Sequence, residues 1–186
     1  MLRIVAAILS LFFLWGCGAS SFQPLSRLDH SMTSENSLWH LSLKHREKER
    51  YSGLLGLREI EGGMHLVLLD STGIKVMEAT TDKHGNVELI SALDAVKDTG
   101  LADYLGQALN RIFFLEPDSL PCAYEGMMHL CQGNINPDQV KKSASLWFFS
   151  LWDVDYFYEK SMPEKVSRIE LKPLFGPDLT LVPIEN

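Results

Sequence analysis

Cys122 and Cys131 are the residues whose spacing most directly suggests a covalent bond. They lie nine residues apart. In an oxidising compartment this pair predicts a disulfide, which would close a loop of about ten residues and stabilise the fold by roughly 2.7 kcal/mol. Two buried thiols are the alternative. His129 lies between them, but the chain has no CxxC or HxxxH spacing, so we expect no metal site.

Acid–base chemistry has one candidate pair of carboxylates. Asp153 and Asp155 flank Val154 and share a face if this segment is extended. A solvated pair of acids accounts for the same pattern. The chain has no GxSxG, HExxH, P-loop or GxGxxG motif. We therefore expect no enzymatic activity, no catalytic residue and no cofactor.

The third cysteine, Cys17, follows a segment that resembles a bacterial lipoprotein signal. Arg3 and an 11-residue apolar run, Ile4 to Leu14, precede it. The run is too short to span a bilayer, which needs about 20 apolar residues, and it fits a secretory signal. The resemblance implies that residues 1–16 are removed and that Cys17 carries acyl chains, although Trp15 is larger than the family's usual residue. Ordinary secretion is the alternative.

The residues after Cys17 bear on location. Gly18 occupies the position where an aspartate retains enterobacterial lipoproteins in the inner membrane, so the resemblance implies the periplasmic face of the outer membrane. Several acyl chains anchor a protein firmly, because each buried CH₂ contributes about 0.8 kcal/mol. Residues 17–36 are rich in serine and lack an apolar period. They predict a flexible tether with a reach on the order of 25 Å.

Composition limits the partners. Removal of the signal leaves 170 residues with a net charge of about −8, which suits one domain, residues 37–186. This charge argues against nucleic acid and against anionic membrane surfaces. We expect a monomer that its acyl anchor holds at the membrane.

Turn signals about ten residues apart predict antiparallel strands over 38–90 and again over 145–182. Between them, apolar residues at helical spacing predict one amphipathic helix from Leu101 to about Leu115, with Asp98 or Thr99 as its N-cap and Pro117 beyond its end. Such a helix should lie across a sheet face.

Several predicted strands are apolar on both faces. In one, Met64, Leu66 and Leu68 share a side while Val67 and Leu69 occupy the other. Residues 145–158 hold seven aromatics, and as a strand they place Trp147, Phe149 and Leu151 on one side and Leu146, Phe148 and Trp152 on the other. One helix cannot cover two sheet faces. A second sheet layer, the curl of the sheet itself or a bound apolar ligand must cover the rest.

The order of these elements resembles the LolA/LolB-type lipoprotein carriers of the Gram-negative envelope. The residues that carry the resemblance are Leu66–Val76, the helix Leu101–Phe114, and Met162-Pro163 leading into Arg168–Leu171. It covers roughly residues 37–184. It implies an α+β, mainly antiparallel β fold, a curled incomplete β-barrel with an amphipathic helix covering its open side. In these carriers the concave apolar interior holds acyl chains.

The resemblance implies an outer-membrane lipoprotein that binds acyl chains or another apolar ligand by burial alone, in lipid or lipoprotein trafficking. The candidate lining residues are Leu54, Leu66, Leu68, Val76, Leu105, Leu109, Trp147 and Phe149. A filled core is the alternative for each, and strand parity allows the opposite set to face inward.

One turn departs from the family. The receptor member has an exposed leucine in a protruding membrane-facing loop, which corresponds here to Ser71, Thr72 and Gly73. Thr72 takes the place of the leucine, and a threonine cannot insert into a bilayer as leucine does. Binding of a lipid or apolar metabolite is therefore favoured over full receptor activity.

A structural lipoprotein that docks a partner in an envelope assembly, without a ligand cavity, is the alternative function. The aromatic segment 147–158 distinguishes the two. A carrier predicts that these aromatics face inward, whereas a docking protein predicts a contiguous exposed group.

Overall fold

A computed structural model of the chain describes residues 36–184. The signal segment, Cys17 and the tether as far as residue 35 lie outside the described residues. In chain order the strands are β1 (Ser37–His45), β2 (Lys48–Ile60), β3 (Gly63–Asp70), β4 (Lys75–Asp82), β5 (Val87–Ala92), β6 (Cys122–Glu125), β7 (Met128–Asn136), β8 (Gln139–Leu146), β9 (Phe149–Glu159), β10 (Met162–Pro173) and β11 (Asp178–Pro183). The helices are α1 (Asp94–Lys97) and α2 (Leu101–Leu109), and α2 continues as a π-helical turn, Asn110–Phe114.

The strands form one antiparallel sheet with the order β5-β4-β3-β2-β1-β11-β10-β9-β8-β7-β6. Consecutive strands are neighbours in the sheet except β5 and β6, and β1 pairs with β11, which joins the two halves. β5 and β6 remain as edges, so the sheet is not closed. The prediction of a mainly antiparallel, unclosed β fold is confirmed.

Buried and more exposed side chains alternate along the strands, so one face of the sheet is buried. Met64, Leu66 and Leu68 of β3 have no exposed surface, whereas His65 and Val67 between them are half-buried. Interior side chains from both halves of the sheet, such as Leu66 and Ile169, belong to one hydrophobic cluster. A curled sheet fits this arrangement, because a flat one would keep the two halves apart.

Helix α2 belongs to the same cluster. Leu105, Ala108 and Leu109 are buried on one side of it, and the helix contacts β4 and β5. A Cβ at Gly106 would clash with Cγ2 of Val87, so glycine permits this close approach to β5. In residues 36–184, neither helix is long and apolar enough to cross a membrane.

Two local predictions are wrong, and one group of strands was not predicted. The N-cap of α2 is Gly100 in the left-handed conformation rather than Asp98 or Thr99, although Thr99 Oγ1 accepts a hydrogen bond from the Leu101 amide. Strands β6, β7 and most of β8 lie in a segment for which no strand was predicted. Residues 145–158 are not a single strand, because the chain reverses at Trp147 and Phe148 between β8 and β9.

Candidate functional site

The predicted disulfide is present. Cys122 and Cys131 face each other across β6 and β7, with their sulfur atoms 2.11 Å apart. Nδ1 of His129 lies 3.7 Å from Sγ of Cys131, so three potential metal ligands cluster here. Both sulfurs are committed to the disulfide, however, and a disulfide offers no thiolate to a metal.

The two candidate acid–base residues share the outward face of β9, as expected for an extended segment. Each has a polar partner on β8. Asp153 forms an ion pair with Lys141 at 3.1 Å, and Asp155 accepts a hydrogen bond from Gln139 at 3.0 Å. This geometry accounts for both carboxylates as cross-strand pairs.

The eight predicted ligand-lining residues separate into three groups. Leu66, Leu68, Leu105 and Leu109 are 0% exposed and Val76 is 5% exposed, and all five belong to the hydrophobic cluster. A side chain without accessible surface is packed against other atoms on all sides. In this conformation the four leucines therefore contact protein atoms rather than a cavity.

The other three predicted lining residues lie outside that cluster. Leu54 is half-buried on the outward side of β2, because its neighbour Leu55 takes the inward position. Trp147 and Phe149 are 78% and 67% exposed. The hairpin turn is the reason, since it places them at the end of the sheet rather than along a strand face.

A small polar group lies within the apolar interior. The amine of Lys142 and the hydroxyl of Tyr156 both donate hydrogen bonds to the carbonyl oxygen of Ile112, at 2.9 and 2.6 Å. Gln132 pairs with Lys142 across β7 and β8 and is also buried, and its Oε1 has no hydrogen-bond partner. These side chains come from β7, β8 and β9, whereas Ile112 lies in the π-helical turn after α2.

Burial changes the acidity of this group. It lowers the pKa of the Lys142 amine to about 7, and nearby Glu116 opposes the shift. Burial also raises the pKa of the Tyr156 hydroxyl well above its usual value. Nothing in the sequence indicates this site, because Lys141-Lys142 looks like a solvated pair and only the β8 register turns Lys142 inward.

The most prominent exposed feature is at one end of the sheet. The antiparallel register places the turns β6–β7, β8–β9 and β10–β11 at the same end, and the strands that they join are neighbours in the sheet. The amide of Leu174 donates a hydrogen bond to the carbonyl of Leu151, which ties the last turn to the start of β9.

These three hairpin ends carry a group of apolar side chains, which we call the apolar rim. Its members are Tyr124, Met127, Trp147, Phe148, Phe149, Leu174 and Phe175, and their exposed fractions run from 51% for Leu174 to 90% for Phe148. In residues 36–184, every mostly exposed aromatic side chain belongs to this rim. Single exposed apolar residues are ordinary, but several on adjacent tips mark a contact surface.

The opposite end of the sheet differs in character. Its turns are centred on Glu61-Gly62, Lys83–Asn86, Pro137-Asp138 and Lys160-Ser161. Ile135 and Met162 are the largest exposed apolar side chains beside those turns, at 47% and 48%. The two ends therefore differ in the exposed apolar side chains that their turns carry, although the rim end also has one charged turn, Arg46-Glu47 between β1 and β2.

The predicted membrane-facing loop lies at the rim end. Ser71, Thr72 and Gly73 are exposed in the turn between β3 and β4. The carboxylate of Asp70 accepts hydrogen bonds from the Thr72 hydroxyl and from the amides of Ile74 and Thr72, which close the turn and hold the pKa of Asp70 below its usual value. The exposed apolar side chain of this turn is Ile74, at 58%.

The backbone at Trp147 is unusual. Its φ is 57°, in the left-handed region that favours glycine or asparagine. Trp147 is the first residue of a two-residue hairpin loop, and such loops normally place glycine, asparagine or aspartate there. A bulky aromatic at this position makes the loop less stable than glycine would, so the fold itself does not require tryptophan here.

The sequence singles out the rim aromatics, but the prediction that they face inward is wrong. The run Ser143 to Trp152 contains no charged residue. A hairpin within this run exposes the side chains at the middle of the run. The turn was missed because Trp-Phe is not a turn sequence.

No protein-family model matches this chain, and no curated protein matches it. The resemblance to lipoprotein carriers therefore depends on the leader, the quoted residues and the order of elements.

Proposed function

We propose that this chain is an outer-membrane lipoprotein without enzymatic activity, anchored through acylated Cys17, whose body works by docking through its apolar rim. The single observation that carries this proposal is the rim itself. Inward-facing aromatics were the expectation for a carrier, and a contiguous exposed group was the expectation for a docking protein. The exposure of Trp147, Phe148 and Phe149 favours docking.

The burial of the predicted lining residues supports the same choice. A carrier in a loaded or open state needs apolar side chains that touch a void, and Leu66, Leu68, Leu105 and Leu109 touch none here. The remaining exposed apolar surface is at the hairpin tips, where it is available to a partner without any rearrangement of the core.

Photocrosslinking in cells tests the docking function. A benzoylphenylalanine in place of Phe148 should form adducts with a lipid or a protein, because Phe148 is 90% exposed on the rim. The matched control places the same group at Lys160, which is exposed at the opposite end. Adducts at neither position, or equally at both, would contradict docking through the rim.

Acyl-chain binding is the second candidate, and the interior polar group is the observation that favours it. We propose that α2 and the π-helical turn cover the open side of the curled sheet. Lys142 and Tyr156 hold the Ile112 carbonyl of this cover, and Gln132 has an unpartnered oxygen beside them. If the cover lifted, these donors and acceptors would face an apolar hollow and meet the polar head of a ligand.

Native mass spectrometry of the periplasm-purified body tests this second candidate. Retained lipid in the wild type, reduced by Lys142→Met, is the result that acyl binding predicts. A wild type that neither retains nor takes up any acylated compound would exclude it.

A further inference from the structure

We infer that the occupant of the apolar rim is a lipid bilayer, so that the body rests on the membrane with its hairpin tips inserted in the outer part of one leaflet. The inference rests on the proposed docking function and names the partner of that surface. Shape, composition, backbone conformation and the position of the tether lead to it independently.

The shape of the rim fits a fluid partner. Phe148 and Phe175 are 90% and 85% exposed, so they stand out from the protein instead of lining a groove. A protein partner would need matching pockets for several separate tips. A bilayer needs none, because acyl chains and head groups rearrange around whatever enters them.

The composition of the tips fits the membrane interface. The run Ser143 to Trp152 and the run Pro173 to Pro177 contain no charged residue. Insertion of these two tips therefore removes no ionised side chain from water, which would otherwise oppose it strongly. Tryptophan and tyrosine are the residues that membrane proteins enrich at the interface, and the rim contributes Trp147 and Tyr124.

The β1–β2 turn at the same end is charged, Arg46-Glu47, and Nδ1 of His45 beside it lies 3.4 Å from the carbonyl oxygen of Gly176. We place this turn, and Glu125 of the β6–β7 tip, among the lipid head groups while the two uncharged tips insert.

The backbone at Trp147 indicates that the side chain serves something other than the fold. A φ of 57° is unfavourable for tryptophan and natural for glycine. Its ring also makes an edge contact with Phe148, with centroids 6.5 Å apart. The turn thus holds two exposed aromatics together where neither is needed for packing.

The tether has the length that this orientation requires. β1 starts at Ser37, at the end opposite the rim, and its nine residues span about 30 Å. Nineteen residues lead from Cys17 to Asn36, and an extended chain of that length reaches about 65 Å. An anchor in the same leaflet as the rim is therefore compatible with a body that stands tips-down.

Vesicle flotation without the anchor tests the inference. A chain that starts at Gly18 lacks Cys17 but keeps residues 36–184, which contain the whole described sheet and its core. It should float with zwitterionic vesicles of phosphatidylethanolamine and phosphatidylcholine at both about 0.1 M and about 0.5 M NaCl, because apolar insertion is insensitive to charge screening. Replacing Trp147, Phe148 and Phe175 together with serine should lower the partition coefficient at least about tenfold.

A matched control uses the opposite end. Replacing Ile135 and Met162 with serine removes exposed apolar side chains away from the rim and should leave flotation unchanged. A wild type that stays unbound, a triple variant that floats like the wild type, or binding that disappears at high salt would each overturn the inference. If flotation fails while the photocrosslinker at Phe148 still captures a protein in cells, the bilayer is the wrong partner and the docking function stands. Failure of both experiments removes the docking function as well.

Discussion

Trp147 is the residue at which stability and function separate most cleanly. Its φ of 57° costs the turn about 1–2 kcal/mol relative to glycine. Glycine also makes the unfolded chain more flexible, which offsets part of the gain. The same substitution removes an exposed aromatic from the rim.

We therefore predict that Trp147→Gly raises the free energy of unfolding by about 0.5–1 kcal/mol and weakens vesicle binding. Urea denaturation and flotation measure the two effects. Phe148→Gly is the control, because Phe148 does not have a positive φ and should weaken binding without stabilising the fold. A destabilised Trp147→Gly protein would show that the indole packs on the fold after all.

Folding changes the acidity of Lys142 strongly. Its pKa is about 7 in the folded chain, compared with about 10.4 when unfolded. Between these values the unfolded chain binds more protons than the folded chain, so stability rises with pH across this window and is flat below it.

Lys142→Met should abolish this rise between about pH 7 and pH 9.5, and at pH 7 it should stabilise the protein by about 1 kcal/mol or more. Tyr156 still donates to the Ile112 carbonyl in this variant. Denaturant unfolding of both proteins at several pH values is the measurement. Lys141→Met, on the outward face of β8, should keep the pH dependence of the wild type. Equal slopes for wild type and Lys142→Met would mean that the amine is hydrated.

At the scale of elements, the disulfide holds the edge strand β6 to its neighbour β7. β6 has four residues and pairs only with β7, so little besides Cys122–Cys131 holds it. Closure of this loop contributes roughly 2.7 kcal/mol in the chain-entropy model.

Replacing both cysteines with serine should therefore lower the free energy of unfolding by about 2–3 kcal/mol. Dithiothreitol should lower the stability of the wild type to the same level and leave the double variant unchanged. Indifference of the wild type to reductant would show that β6 does not take part in cooperative unfolding.

The strands and helices also show how much of the fold could be predicted from the sequence. Strands β2 to β5 were predictable because Gly62, Gly73 and Gly85 mark their turns, and α2 was predictable from the spacing of its apolar residues. β7 was not, because Gln132, Gly133 and Asn134 lie inside it and lack strand propensity. Its pairing with β6 and β8 overrides that local preference.

The candidate site was less predictable than the fold. The direction of Lys142 and of the rim aromatics depends on register and on one turn, and a shift of a single residue reverses both. The disulfide is the exception, since cysteine spacing alone located it.

At the scale of the whole molecule, the two ends of the sheet differ in their exposed apolar surface. One end carries the apolar rim together with the charged β1–β2 turn, and the other carries polar turns and the beginning of β1. An acyl anchor at Cys17 would keep the body near the membrane, and the rim would decide which end faces it. Anchor and rim together would give a defined orientation that neither gives alone.

Depth-dependent quenching of tryptophan fluorescence tests this account most directly. In a chain that starts at Gly18, Trp39 and Trp152 are each 4% exposed and Trp147 is 78% exposed, so quenching by brominated lipid reports on Trp147. The account predicts a blue-shifted emission that vesicles with bromine near the head groups quench, and no quenching in Trp147→Gly. Emission of the wild type that is unchanged by brominated vesicles would contradict it.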